Sequence, residues 1–291
     1  MTDYAVLFRE LAVPRLVGTP NNQKVRDVLK RELASRGFRV QEHAFSGRPA
    51  RLLFGVPRVV QGVNLIAPPI SASVHPPVWL VAHYDSKGQP VSMLVRLLGF
   101  AALVVGLAWL PFGQIAAVMP LALGIAILFQ NRVTDKSPGA VDNASALVAV
   151  FMTLDQLPRG AAVGVVFPDA EEYGLVGAQA LAAERAALFA EAALINLDGL
   201  DDVGRPTAFV HRAGPTGTAL AEALEARRWR WLPVIVDGIA LRRVSRECVT
   251  IMKGTWRTMR IIHRPDDTVA RVRLDGAATV AAGLARVLRE P

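Results

Sequence analysis

The sequence has a single cysteine, Cys248, in 291 residues. One thiol cannot form an internal disulfide, which excludes a disulfide framework and any cysteine-based zinc finger. Lysine is also scarce: 28 of the 33 basic residues are arginine, and the formal net charge is +8. Only 7% of residues are aromatic. That is too few for the interleaved basic and aromatic pattern of a nucleic-acid reader, so no nucleic-acid partner is expected. Arginines gather in the last third, among them Arg227, Arg228, Arg230, Arg257, Arg260 and Arg264. Such a face attracts anionic lipid or acidic substrates, and it also fits an ordinary solvated surface. Hydrophobic residues at 52% and charged residues at 20% exclude a disordered or fibrous chain. The length suits one large α/β domain, or two small ones.

The most telling absence is of charge. Positions 97–131, 35 in a row, contain no ionisable residue. Pro111, Gly113 and Gln114 divide this stretch into two halves, near 92–112 and 115–130. A membrane-spanning helix needs about 20 apolar residues, with a lower limit near 17. The first half reaches that length and the second is marginal. Together they predict a transmembrane helical hairpin inserted at residues 91–131, because each helix satisfies its own backbone in lipid. Trp109 and Phe112 fall near its tip, where aromatic anchors collect. Lys87, Arg96, Arg132 and Lys136 lie at its base, and the tip carries no charge. The positive-inside rule then predicts an integral membrane protein with its main domain on the cytoplasmic side. Residues 1–10 include Asp3 and Glu10 and lack the apolar core of a signal peptide.

The remainder, residues 1–90 and 132–291, alternates helix and strand patterns. Helices are predicted at 22–36, 144–157, 177–188, 216–227 and 277–288. Strands are predicted at 39–45, 59–66, 78–83, 161–167, 192–197, 207–211, 232–236 and 259–262. This alternation predicts an α/β fold: a single three-layer domain with a mainly parallel mixed sheet, interrupted by the hairpin. In such folds ligands collect beyond the carboxyl ends of the strands, and the acidic and imidazole side chains fall there. His83 and Asp85 end one buried strand, and Asp142 opens a helix. Asp169, Glu171 and Glu172 follow another strand. Asp198 follows a third, with Asp201 and Asp202 close behind, and His263 comes last. Singly, each has an ordinary reading as a cap or a solvated side chain. Together, histidines and carboxylates without cysteine suit an open, oxygen-rich site for two cations better than a closed structural zinc site. One carboxylate must bridge the ions and one must stay off the metal as a base. Adjacent Glu171 and Glu172 can face one centre only if the chain leaves the strand there.

Five segments resemble peptidase family M28, the zinc aminopeptidases. They are Ala82-His83-Tyr84-Asp85-Ser86, Pro138-Gly139-Ala140-Val141-Asp142-Asn143-Ala144-Ser145, Asp169-Ala170-Glu171-Glu172-Tyr173-Gly174-Leu175, Asn196-Leu197-Asp198 and Ile262-His263-Arg264-Pro265-Asp266-Asp267-Thr268. Pro14-Arg15-Leu16-Val17-Gly18-Thr19-Pro20 is similar to the start of such domains. The resemblance covers the chain from about residue 11 to the end, hairpin excepted. It implies a zinc exopeptidase-like fold and two Zn2+ per chain. His83 and Asp198 would hold one ion, Glu172 and His263 the other, and Asp142 both, with a cis peptide to Asn143. Glu171 is implied as general base and Asp85 as the partner that orients His83. Asp267 would orient His263 or cap the last helix. The implied activity is a membrane-anchored metallo-aminopeptidase acting on peptides with a free N-terminus. The alternatives are a glutaminyl-cyclase-like acyltransferase with a single zinc, and an inactive membrane scaffold. The sequence departs from the family pattern in two places. Between Asp85 and Asp142 the hairpin lengthens the gap to 57 residues. Ser245-Arg246-Glu247-Cys248 and Gly254-Thr255-Trp256 stand in the region expected to line the substrate pocket.

Overall fold

The computed structural model describes residues 2–51, 53–71, 75–230 and 234–289. In chain order the elements are α1 (Tyr4–Leu11), α2 (Pro20–Ser35), β1 (Gln41–Gly47), β2 (Val60–Ala67), β3 (Val78–Val81), α3 (Met93–Trp109), α4 (Gln114–Leu128), α5 (Ser145–Gln156), β4 (Val163–Phe167), α6 (Val176–Glu184), β5 (Ala193–Leu200), β6 (Pro206–Arg212), α7 (Pro215–Ala223), β7 (Arg227–Trp229), α8 (Asp237–Leu241), β8 (Glu247–Lys253) and α9 (Asp275–Arg289). Local chemistry sets their starts. Asp3 accepts from the N–H groups of Ala5 and Val6 to cap α1. Thr19 caps α2, with Pro20 in its first turn.

The strands form one eight-stranded sheet, ordered β1-β2-β4-β3-β5-β8-β6-β7. The central run β4-β3-β5-β8 is parallel. β1, β2 and β6 pair with their neighbours antiparallel, and β7 lies parallel to β6. The sheet is therefore mixed, with its parallel part in the middle. Adjacent strand residues face opposite sides. Leu80, Val165, Ile195 and Val249 join α1, α2, α5, α7 and α9 on one face. Trp79, Val81, Val166 and Leu194 join α6 and α8 on the other. This is the expected single three-layer α/β domain.

Three sequence expectations need correction. The strand predicted at 259–262 is a 3-10 turn, Thr258–Arg260, followed by loop. The last central strand is β8 instead; Glu247 and Lys253 at its ends and Thr250 at its middle broke the apolar run that announces a buried strand. The strand predicted at 232–236 falls partly outside the described residues, and 234–236 is not strand. The strand of this region is the exposed edge β7, placed where a helix was expected to end.

The uncharged insertion forms two packed helices, α3 and α4, joined by a 3-10 turn at Leu110–Phe112. Small residues let them approach. A side chain at Gly106 would collide with Leu121, and one at Gly124 with Leu103. Their outer surface is apolar and open: Val104 is 65% exposed, Ile115 89% and Met119 77%. Met93–Phe112 is 20 residues long with a mean hydropathy of 2.2, enough to cross a membrane. The second helix, at 15 residues, falls short of the length expected for a full span.

The core side chain with most to lose is Trp79. It is fully buried and meets Phe189 edge-on at 5.5 Å. Trp79→Ala is expected to cost about 3–5 kcal/mol in a denaturant titration. A loss below about 1 kcal/mol would mean that this face does not carry the fold.

Candidate metal centre

The carboxyl ends of the parallel strands bring the predicted residues together. β3 ends at Val81, and His83 follows it into the cleft, 1% exposed. β4 ends at Phe167. The chain then turns sharply, with Ala170 at φ +56° and a 3-10 turn over Glu171–Tyr173. This departure from the strand lets adjacent Glu171 and Glu172 approach one centre. Asp85 holds the turn: its two oxygens accept from the N–H groups of Glu171 (3.1 Å) and Glu172 (3.2 Å). Asp198 sits where the β5–β8 register shifts between Leu197 and Leu200. A bulge leaves backbone groups unpaired, and Asn143 satisfies them, donating to the Leu197 carbonyl and accepting from the Gly199 N–H. Asp142 and Asn143 are joined by a cis peptide bond. Asp267 accepts from the N–H groups of Val141 (2.8 Å) and Asp142 (3.2 Å). It therefore supports the Asp142 loop, and neither orients His263 nor caps α9, which starts at Asp275.

Asp142 is the hub. Its Oδ1 lies 3.2 Å from His83 Nε2, and its Oδ2 lies 2.9 Å from His263 Nε2. His263 Nε2 is also 3.2 Å from Glu172 Oε2. Two groups of buried donors result, His83–Asp142–Asp198 and Asp142–Glu172–His263, each with ligand atoms within 4.8 Å of one another. Imidazole and carboxylate donors in this mixture suit zinc or a similar divalent ion. Asp142 Oδ1 is buried without a hydrogen-bond partner among the described residues. An orphaned anionic oxygen shared by two such donor groups fits a divalent cation.

The remaining predicted residues lie apart. Asp169 faces away from the centre and accepts from Asn22, Tyr84 and the Val63 N–H. Asp201 accepts from Thr258, and Asp202 accepts from the N–H groups of Arg273, just ahead of α9, and Gly276, in its first turn. Glu247 accepts from Gly217 N–H in the first turn of α7, and Cys248 is buried in the core, where burial raises its thiol to about 12.

Sequence reasoning missed four residues. Arg15 is fully buried and donates to the carbonyls of Tyr84, Pro138 and Gly139, locking the His83 and Asp142 loops together. Lys87 Nζ lies 2.7 Å from Glu172 Oε2. Arg96, from the first turn of α3, reaches His263 Nδ1 at 2.5 Å. Asp237 opens α8, and both its buried oxygens lack a hydrogen-bond partner. Lys87 directly follows the His-Tyr-Asp-Ser motif, and Arg96 is the last charge before the uncharged run. Those positions were the available signals. Asp237 carried none beyond an acidic residue at a helix start.

Electrostatics follow from crowding. Burial raises Glu171 well above the usual carboxylate range; His83 opposes this, and Glu172, Asp237 and Asp198 add to it. Burial likewise raises Asp198 to about 7 and Asp237 to about 8. For Asp142 the effect of burial is outweighed by His263 and His83, which hold it well below its ordinary value. For Glu172, His263 and Lys87 outweigh burial and bring it to about 2. Burial pulls His83 down, but Glu171, Asp142 and Asp85 leave it raised.

Comparison with known proteins agrees with this geometry. The family description "Peptidase family M28" matches residues 64–288. The chain belongs to peptidase family M28. A comparison with curated proteins finds no match. Among solved structures, a glutaminyl cyclase from Porphyromonas gingivalis superposes with a TM-score of 0.68 at 16% identity, over 99% of this chain and 96% of that one. The zinc aminopeptidase BSAP from Bacillus subtilis gives 0.66 at 12% identity, over 97% and 93%. An aminopeptidase from Aneurinibacillus gives 0.64 at 11%, over 98% and 92%. At these identities the likeness concerns the fold, and solved structures of this shape include both kinds of enzyme.

A pH dependence follows for this M28 domain. Asp237 keeps its proton to about pH 8 when folded, whereas an unfolded aspartate loses it near pH 4. The folded state therefore binds more protons between those values, and stability falls as pH rises through that window. Raised His83 acts with the same sign above its ordinary value. The metal-free wild type is expected to melt a few degrees lower at pH 8 than at pH 6. Asp237→Asn is expected to shrink that difference. Equal pH dependence in the two proteins would contradict the assignment.

Proposed function

We propose that this protein is a membrane-anchored metallo-aminopeptidase that removes N-terminal residues from peptides. The single observation that carries the reading is the shared Asp142, placed between two half-sites with Glu171 free beside them. His83 and Asp198 would hold one divalent ion, Glu172 and His263 the other, and Asp142 would bridge them. Bound ions there supply Lewis acidity toward a scissile carbonyl and lower the pKa of a water.

The chain's own groups supply the rest. Glu171 belongs to neither half-site; cations bound beside it would offset the crowding that raises it and favour its ionised form, leaving the carboxylate to take a proton from the attacking water and return it to the leaving amine. Asp85 acts behind it, fixing the backbone of the Glu171 turn and lying 3.5 Å from His83 Nδ1. The excess negative charge of the cleft favours the ammonium of a free peptide N-terminus. A second reading, cyclisation of N-terminal glutamine, is favoured by the cations Lys87 and Arg96 held against the Glu172–His263 pair. They disfavour a second ion and so fit a single-metal centre. An intact Glu171 and complete donor set argue against an inactive scaffold.

The open apolar face of α3 and α4 supports insertion in the bilayer at residues 91–131. The exposed basic residues at its base, Arg132 and Lys136, favour a cytoplasmic catalytic domain.

Glu171→Gln is expected to keep its metal and lower turnover of aminoacyl substrates about 10²- to 10⁴-fold. Wild-type turnover in that variant would remove Glu171 as the base. Assaying release of a free residue beside ring closure of N-terminal glutamine separates the two readings. The full chain is also expected to stay in the membrane pellet after alkaline carbonate extraction. Complete release would contradict insertion.

A further inference from the structure

The two histidines of the centre are held in opposite ways. His83 Nδ1 faces the backbone carbonyl of Asp85 at 3.2 Å. A carbonyl only accepts, so Nδ1 carries the proton and the Nε2 lone pair points at the half-site shared with Asp142. That is the usual arrangement behind a metal-binding imidazole, whose other nitrogen donates to an acceptor. His263 Nδ1 instead faces the guanidinium of Arg96. A guanidinium has five donors and no acceptor. Nδ1 therefore faces a cation that offers only N–H groups, where a metal-binding imidazole wants an acceptor for its Nδ1 proton. Nε2, on the other side of the ring, lies 2.9 Å from Asp142 Oδ2 and 3.2 Å from Glu172 Oε2.

Arg96 is fixed by the hairpin rather than by the catalytic domain alone. It lies in the first turn of α3, capped by Ser92, and only 8% of it is exposed. The hairpin root is tied to the His263 loop. Gln89 N–H donates to the His263 carbonyl at 2.7 Å, and Arg264 donates to the carbonyls of Gln89 and Pro90. Gly88 and Thr134 exchange backbone hydrogen bonds across the two roots. His263 itself is held at φ +64°.

We infer that Arg96 competes with the metal ion of the Glu172–His263 half-site, so that the hairpin sets how tightly this half of the centre is occupied. The inference rests on the reading of His83 and His263 as metal ligands. An ion at His263 Nε2 would leave Nδ1 as a donor, and the Arg96 guanidinium opposes this with its charge and its own N–H groups. Lys87 beside Glu172 adds like-charge repulsion at the same place. Among the described residues no cation is in contact with His83 or Asp198, so the ion of that half-site is the tighter of the two.

The test is a zinc titration of the full-length chain in detergent, stripped by chelation and followed by competition with a chromophoric chelator. The wild type is expected to show two affinities about tenfold or more apart, the weaker being lost in His263→Ala and the tighter in His83→Ala. Arg96→Gln, whose amide can accept from Nδ1–H, is expected to tighten the weaker ion about tenfold or more and leave the tighter one unchanged. Arg96→Lys, still a pure donor, is expected to keep the wild-type pattern. If Arg96→Gln does not fold, Arg96→Met keeps an apolar stem and removes the donor, with the same tightening expected. An unchanged or weakened second ion, with the first still bound, would overturn the inference and leave the metal centre standing. Zinc binding by neither protein would overturn both.

Discussion

The organising constraint of this molecule is a concentration of buried negative charge. Asp85, Asp142, Glu171, Glu172, Asp198, Asp237 and Asp267 are all buried around one cleft, against the fixed cations Arg15, Lys87 and Arg96. Burying unpaired carboxylates is among the costliest things a fold can do. Much of the local architecture offsets that cost. Asp85 and Asp267 are wrapped by backbone N–H groups, Arg15 binds the loops that carry His83 and Asp142, and histidines flank Asp142. Asp237 and one oxygen of Asp142 remain without hydrogen-bond partners among the described residues. When these carboxylates ionise, negative charge exceeds the fixed cations, and bound divalent cations would offset it.

The sheet explains why the charge collects in one place. Parallel strands β3, β4 and β5 deliver their carboxyl ends to a common edge, where chain turns are free to leave the sheet. Each then needs a local device to aim its acid. A left-handed residue and a 3-10 turn serve Glu171 and Glu172, a register shift plugged by Asn143 serves Asp198, and a clasp from Asp267 serves Asp142. The same edge carries the roots of α3 and α4, so the hairpin adjoins the centre as a consequence of where it is inserted.

Much of this was legible in residue order. Acids and imidazoles at strand ends marked the cleft, and the uncharged run marked the hairpin. The alternation of buried strands and amphipathic helices marked the three layers. Legibility stopped where long-range contact decides the outcome. β8 hides behind Glu247 and Lys253, because its ends pair with elements distant in sequence. Asp267 looked like a cap, yet its partners are the N–H groups of residues more than 120 positions away. Arg96 read as a membrane-flanking charge, but the fold folds it inward onto His263. No local pattern distinguishes those fates.

The hairpin and the centre are therefore best considered as one unit, a pair of apolar helices whose first turn reaches the cleft. The account stands on the claim that the buried carboxylates form a two-ion centre. Elemental analysis of the full-length chain, purified in detergent and dialysed to equilibrium against saturating free zinc, with the zinc of the dialysis buffer subtracted, tests this most directly. The account expects two divalent ions per chain at saturation. A chain that retains one ion or none under those conditions would contradict it.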